Sequence, residues 1–378
     1  MSLTAPDFSI GVEEEYLLVE RESRDLVCDP PEAFFRDCQD HLKEQVSPEF
    51  LRSQIETQTG ICHSIKEVRA DLAHLRKTVS KVAAPYGLAP IAASTHPFAQ
   101  WHAQRHTDKE RYNELAHDLQ AVARRLLICG MHVHVGIEDS DLRLDLMNQV
   151  AYFLPHLLAL STSSPFWDGD RTGLMSYRIS VWDELPRTGL PEFFESQGEY
   201  DRHVAIMVKA GLIEDASKIW WDVRPSARFP TLEMRITDTC TRLDDAVSIA
   251  AIYVCVLRML YRLRRDNQRW RVYARMLIEE NRWRAHRYGI DEGLVDFGRG
   301  EIVPYKELLE ELFELIEEDI AFFDCKAEID NARAILDRGT SAHMQLRAFE
   351  SARAAGKDDM EALKDVVDRL IAETMTGV

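Results

Sequence analysis

Apolar and polar positions alternate along three short stretches of this chain. Around "IGVEEEYLLV" (10–19), Phe8, Ile10, Val12, Tyr16 and Leu18 fall on one face of a period-2 pattern, which predicts a strand over 8–20. Ser9, Gly11, Glu13, Glu15 and Leu17 fall on the other face, with Glu13 and Glu15 about 7 Å apart at ~3.3 Å rise per residue. Glu14 interrupts the apolar row, where an ionised carboxylate is costly unless it is hydrogen-bonded, paired or near the sheet edge. In "LLICGMHVHVGI" (126–137), His132 and His134 share a face with Gly130 and Gly136, against Met131, Val133, Val135 and Ile137. In "RFPTLEMRITDT" (228–239), Glu233 shares a face with Arg235 and Thr237, against Leu232, Met234 and Ile236. Each stretch alone is compatible with an ordinary half-solvated strand. Side by side, the three make a sheet packed on helices below and lined above with acid, imidazole and guanidinium.

Helical spacing fills the intervals. Val68, Leu72, Leu75 and Val79 predict a helix over 65–87 that Gly87 stops, and a short buried strand follows over 88–94. Helices are also predicted over 108–125, 141–162 and 243–264, with polar or Gly- and Arg-bearing loops at 95–102 and 163–178. The stretch "PEFLRSQIETQTG" (48–60) is ambiguous. Glu49 and Glu56 are seven apart, as on one helix face, while Leu51, Ser53, Ile55 and Thr57 alternate as in a strand. From 304 onward the chain is acidic and helical. With no Pro/Gly/Ser linker, the expectation is a single α+β domain over 1–378, of which about 300–378 is a helical C-terminal portion.

Composition narrows the function. A chain of 378 residues with 46% hydrophobic content can bury a large core. Its formal net charge of −18 argues against nucleic acid or anionic lipid as the main partner, and an anionic substrate would need cations or arginines locally. Seven scattered cysteines without a CxxC pair suit reduced thiols better than a disulfide frame or a zinc site. No stretch approaches ~18 uninterrupted apolar residues, and the start lacks a basic region followed by an apolar run, so a soluble, cytoplasmic protein without membrane partners is expected. An oxygen-rich set with few imidazoles suits Mg²⁺ or Mn²⁺ better than zinc.

The same residues carry a resemblance. "GVEEEYLL", "GMHVHVG", "SPFWDGDRTGLMSYR", "PRTGLP", "WDVRPSARFPTLEMR" and "NRWRAHRYG" resemble the carboxylate–amine ligases of the YbdK type, a glutamate–cysteine ligase-like group in the glutamine synthetase superfamily. The matches run in one order from residue 10 to about 290 and weaken after 300. The resemblance implies a glutamine synthetase-like funnel on a curved, mainly antiparallel sheet with helices on its outer face, ATP entering one end and the amino acid the other. It implies metal-ligand roles for Glu13, Glu15, Glu49, Glu56, His132 and Glu233, with His134 near the phosphate and Arg235 on the transferred phosphoryl group. Thr231 stands where glutamine synthetases carry an arginine, leaving Arg224 or Arg228 to take its place.

The implied reaction is ATP-dependent amide-bond formation, with glutamate and cysteine as the best-matching substrates. Arg171, Arg178 and Arg187 would bind phosphates or substrate carboxylates, although each is equally well explained as a surface salt-bridge partner. Arg282 and Arg284 either reach the site or coat a helix. Three alternatives stand beside this reading: a ligase of another amino acid and amine, a metal-dependent amidohydrolase-like hydrolase, and a non-catalytic nucleotide sensor. An exposed apolar patch on the C-terminal helices would suggest a homodimer.

Overall fold

Seven strands build the sheet that carries the polar face: β1 Ile10–Glu20, β2 Val46–Pro48, β3 Gln54–Gln58, β4 Leu88–Ile91, β5 Met131–Gly136, β6 Val223–Pro225 and β7 Thr231–Met234. The computed structural model describes residues 5–378, apart from the side chains of 111, 115, 116, 118 and 124. The strand order is β6-β7-β5-β1-β3-β2, every neighbour antiparallel, and β4 pairs with the far end of β1.

The period-2 pattern explains which side is packed. Ile10, Val12, Tyr16 and Leu18 are buried with Met131, Val133, Val135, Leu232 and Met234 in one apolar cluster. Beneath them runs the helix Leu243–Arg265, against the helix Ile65–Ala83 and strand β5. By length and composition Leu243–Arg265 could cross a membrane, but 83% of its apolar window is buried in this core. The C-terminal helices Glu317–Phe323 and Lys326–Arg338 pack on it in turn. Beyond Glu15 the second face of β1 also closes over. Leu17 and Val19 join another cluster with Ala89, Ile91, Val366 and Leu370, so the last helix, Asp359–Thr374, seals the far end of the sheet.

Several boundaries differ from the sequence pattern, each for a local reason. The stretch 141–162 is two helices, Ser140–Val150 and Leu154–Ser161, joined by a 3₁₀ turn; Pro155 sits in the first turn of the second, where no N–H is needed. The helix over 108–125 breaks at Gln120, whose φ is 48°. The strand over 228–239 is regular only at 231–234; beyond it the Arg235 and Ile236 N–H groups turn to the Asp222 carbonyl, and an isolated bridge between Gly130 and Asp238 continues the pairing. The stretch 48–60 is strand at 54–58 and not helix, with Ser53, Ile55 and Thr57 fully buried and Glu56 on the opposite face.

The interrupting acid has a partner. Glu14 is fully buried and forms an ion pair with Arg76 of the helix Ile65–Ala83, with Arg76 Nε 2.9 Å from Glu14 Oε2. The Tyr16 hydroxyl donates to the same carboxylate at 2.5 Å. Arg76 also donates to the carbonyls of Thr241, at 2.6 Å, and Cys240, at 2.8 Å. Pairing and hydrogen bonding thus offset the desolvation of two charges.

Candidate active site

Register places the polar residues in rows across the sheet. Arg224, Glu233, His134 and Gly11 are successive partners across β6, β7, β5 and β1. One row along, His132 faces Glu13, and beyond that Glu15 faces Glu56, which faces Ser47. All but Gly11 line one cavity of about 570 Å³, together with Glu49, Arg228, Arg235, Lys109, Tyr112 and Trp182.

Two ligand groups stand on this floor. In the first, donor atoms of Glu13, His134 and Glu233 lie within 4.8 Å of one another. His134 Nδ1 is 2.9 Å from Thr231 Oγ1, and in the tautomer that donates there Nε2 presents its lone pair to the cavity. That Nε2 is buried, lacks a hydrogen-bond partner, and faces Glu13 Oε1 at 3.4 Å. Burial opposes ionisation of Glu13, yet the His132 and His134 imidazoles beside it hold its carboxyl well below the usual range. Burial likewise opposes Glu233, but the Arg235 and Arg224 charges hold it ionised.

The second group is Glu15, Glu49 and Glu56, again with donor atoms within 4.8 Å. One oxygen of each is fixed by a local donor. Gly130 N–H binds Glu15 at 2.7 Å, Phe50 N–H binds Glu49 at 2.8 Å, and the Ser47 hydroxyl binds Glu56 at 2.9 Å. Burial first, and then the Glu56 charge, push Glu15 up to about 7. Burial and the Glu15 charge push Glu49 up to about 7, and burial with the Glu49 charge raises Glu56 well above its ordinary value. Three such acids cannot all ionise without a cation among them. Both groups fit hard divalent cations: carboxylate oxygens predominate, one has a single imidazole, and no thiolate enters either.

His132 sits between the groups, with Nδ1 3.0 Å from Glu13 and Nε2 3.9 Å from Glu15. Burial and the Arg235 charge push it down to about 4, so it is neutral at pH 7. The resemblance assigns the metal-ligand role to His132, whereas the convergence with Glu13 and Glu233 belongs to His134.

The arginines divide. Arg224 forks onto Glu233 at 2.9 and 3.1 Å, while Arg228 is exposed at the cavity wall. Arg235 pairs with Glu233 and comes 3.4 Å from His132. The three loop arginines are not cavity-lining. Arg171 is exposed and pairs with Glu350 at 3.0 Å. Arg187 donates to the Lys218 carbonyl at 2.9 Å and lies over Trp220. Arg178 is buried beside the floor, where its guanidinium donates to the carbonyls of Ile236 and Arg235 at 3.1 and 3.0 Å. It fills the space above Gly130, where a Cβ would come 2.5 Å from Arg178 Nη2. Arg284 donates to the Gly293 and Glu292 carbonyls, away from the cavity.

Residues that the pattern left unassigned complete the site. Trp182, Lys109, Lys218, Tyr112, Gln54 and Ser47 line the cavity, none of them within the alternating face of the three strands first recognised. Asp238 lies below, accepting from Ser163 N–H, Ser164 Oγ and Ser176 Oγ, each at 2.8 Å, and so ties the 163–178 loop to the segment after β7. Its sequence signal is the "TDT" that ends the third stretch.

A profile for glutamate–cysteine ligase family 2 matches residues 9–369. The chain belongs to that family. It is 64% identical over 374 residues to the Rhodospirillum rubrum protein named "Putative glutamate--cysteine ligase 2", covering 98% of this chain and 96% of that one. A Jannaschia protein of the same name is 54% identical over 366 residues, covering 97% and 96%. The crystal structure of the Francisella tularensis glutamate–cysteine ligase in complex with AMP superposes with a TM-score of 0.68 at 13% identity, over 99% of this chain and 90% of that one, which fixes the glutamine synthetase-like fold. Family membership makes this protein an enzyme of the ATP-dependent carboxylate–amine ligase class and sets aside the hydrolase and the sensor.

Proposed function

We propose that this ligase joins the γ-carboxylate of glutamate to the amine of cysteine through a γ-glutamyl phosphate, using ATP and Mg²⁺ or Mn²⁺. The observation that carries this reading is the pair of acidic ligand groups on one sheet face, with Arg224 and Arg235 beside them. The names of the relatives support the substrates, and the AMP bound to the Francisella tularensis enzyme supports a nucleotide.

A carboxylate does not react with an amine in water because its leaving group is oxide. Phosphorylation by ATP replaces that leaving group with phosphate, which the amine displaces. Divalent cations held by Glu13, His134 and Glu233, and by Glu15, Glu49 and Glu56, would neutralise charge on the transferred phosphoryl group. Arg235 lines the cavity and spends Nη1 on Glu233, so its other terminal nitrogen can donate to phosphoryl oxygens without breaking that pair. Arg224 takes the place of the arginine missing at Thr231 and keeps Glu233 ionised. Thr231 holds the His134 ring so that Nε2 faces the cavity.

Phosphate release from ATP across amino acids paired with amines tests this. Release is expected to be fastest with glutamate plus cysteine, to stop with a chelator, and to return with Mg²⁺ or Mn²⁺. Release that ignores the amino acid, or full turnover without divalent metal, would remove the reading.

A further inference from the structure

The helix Tyr177–Trp182 carries Arg178 and Trp182 four residues apart, and so on one face. The Trp182 ring is flanked by two cations, with Arg178 Cζ 5.7 Å and Arg235 Cζ 5.5 Å from its centroid. Its indole N–H donates to the Trp220 carbonyl at 3.2 Å, which fixes the ring plane and leaves no donor for substrate. The helix is tied to Arg235 from two sides. Arg178 binds the Arg235 carbonyl at 3.0 Å. At the other end Arg282 forks onto Asp183, at 2.6 and 2.8 Å, and onto Asp222, at 2.7 and 3.1 Å. The Asp222 carbonyl in turn accepts the Arg235 N–H at 2.7 Å. Both the main chain and the ring face around Arg235 are therefore held by one short helix.

We propose that Trp182 is a positioning residue for Arg235: its ring holds the guanidinium over the ligand groups before substrate arrives. This deepens the reading above and rests on it. An arginine side chain loses much rotamer freedom when it is ordered, and Glu233 is its one ion-pair partner among the described residues. A face-on indole removes that freedom in advance, and cation–π contact of this kind is strongest with Trp and retained in part by Phe. The role falls on the rate of phosphoryl transfer and not on ATP binding, because Trp182 spends its only polar group on Trp220.

The test is a double-mutant cycle between Trp182→Leu and Arg235→Lys, with kcat and the KM for ATP measured on variants whose melts show them folded. Trp182→Leu is expected to lower kcat about tenfold while changing KM for ATP less than about twofold, and Trp182→Phe to recover most of the loss. Trp182→Met is expected to match the leucine variant, and replaces it should the leucine disturb folding. Added to Arg235→Lys, the Trp182 change is expected to cost almost nothing more, because both act on one group. Multiplying losses, or a Trp182→Leu enzyme with native kcat beside a slow Arg235→Lys enzyme, would overturn this inference alone. Native turnover of Arg235→Lys would overturn the phosphoryl role of Arg235, and this inference with it.

Discussion

Glu13, Glu14 and Glu15 are three identical side chains in a row with different work, and strand alternation separates them. Glu13 and Glu15 enter the two ligand groups, while Glu14 turns into the core against Arg76. The face of each was legible from period 2 alone. What covers Glu14 was not, because its partner lies 62 residues away. The sign was an arginine standing among Leu72, Leu75 and Val79 on the packed face of the helix Ile65–Ala83. From the sequence, Glu14→Gln would cost a modest loss of stability. With Arg76 fully buried, the same change strands a charge, a loss of about 3–5 kcal/mol for a broken buried pair. Denaturant melts are expected to show that drop with metal affinity unchanged, whereas Glu15→Gln is expected to lose metal with little loss of stability. Equal melts for Glu14→Gln and the unaltered protein would contradict the pairing.

At the level of elements, the strands carrying Glu13, Glu15 and Glu233 were visible as alternating patterns, though not their lengths, while the strand carrying Glu56 could not be told from a helix. Alternation continues through Thr237 and Thr239, where the regular ladder has given way to an isolated Gly130–Asp238 bridge and the Thr239 N–H has turned to the Ser94 hydroxyl. The loop arginines were harder. An arginine in a loop looks the same whether it meets Glu350, a backbone carbonyl or a substrate, since nothing in its neighbours' periodicity reports where the loop lands. The last helix was legible as helix but not as part of the sheet's packing. Asp359–Thr374 buries Leu363, Val366, Val367 and Leu370 and supplies Thr374 Oγ1 as acceptor for the Ala92 N–H at 2.9 Å. At about 1.5–3 kcal/mol per side chain, those four alone match the ~5–15 kcal/mol net stability of a typical protein. A chain ending at residue 357 is therefore expected to lose its cooperative melt and near-native circular dichroism. A truncated chain that melts like the full one would show that the helix is dispensable.

For the molecule as a whole, the acids on the sheet face couple stability to pH and to metal. Glu15 and Glu49, both up at about 7, are protonated in the folded state over a range where the unfolded chain has already ionised them. The folded state then binds more protons, so stability falls as pH rises through that range. Buried histidines give the opposite sign at lower pH. His96, His132, His156 and His286, pushed down to about 4 by burial, make stability rise from about 4 to about 6.5 and are silent above it. Between about pH 6.5 and pH 8 the carboxylates share the window only with His134, which burial lowers but Glu13 and Glu233 raise by more, and its sign is the same as theirs. Metal-free protein is expected to melt at lower temperature as pH rises across that window, and Mn²⁺ is expected to abolish the drop by taking the place of the protons. A metal-free melt that rises across the window would contradict the clustering of Glu15, Glu49 and Glu56.

The central claim is that this cavity passes a phosphoryl group to a carboxylate before the amine attacks, and oxygen labelling reads that step directly. Glutamate carrying ¹⁸O in its γ-carboxylate is incubated with ATP, Mg²⁺ and cysteine, and the released phosphate is weighed by mass spectrometry. An acyl phosphate predicts one ¹⁸O atom in each phosphate released with product. Phosphate without label, formed alongside the amide, would contradict it.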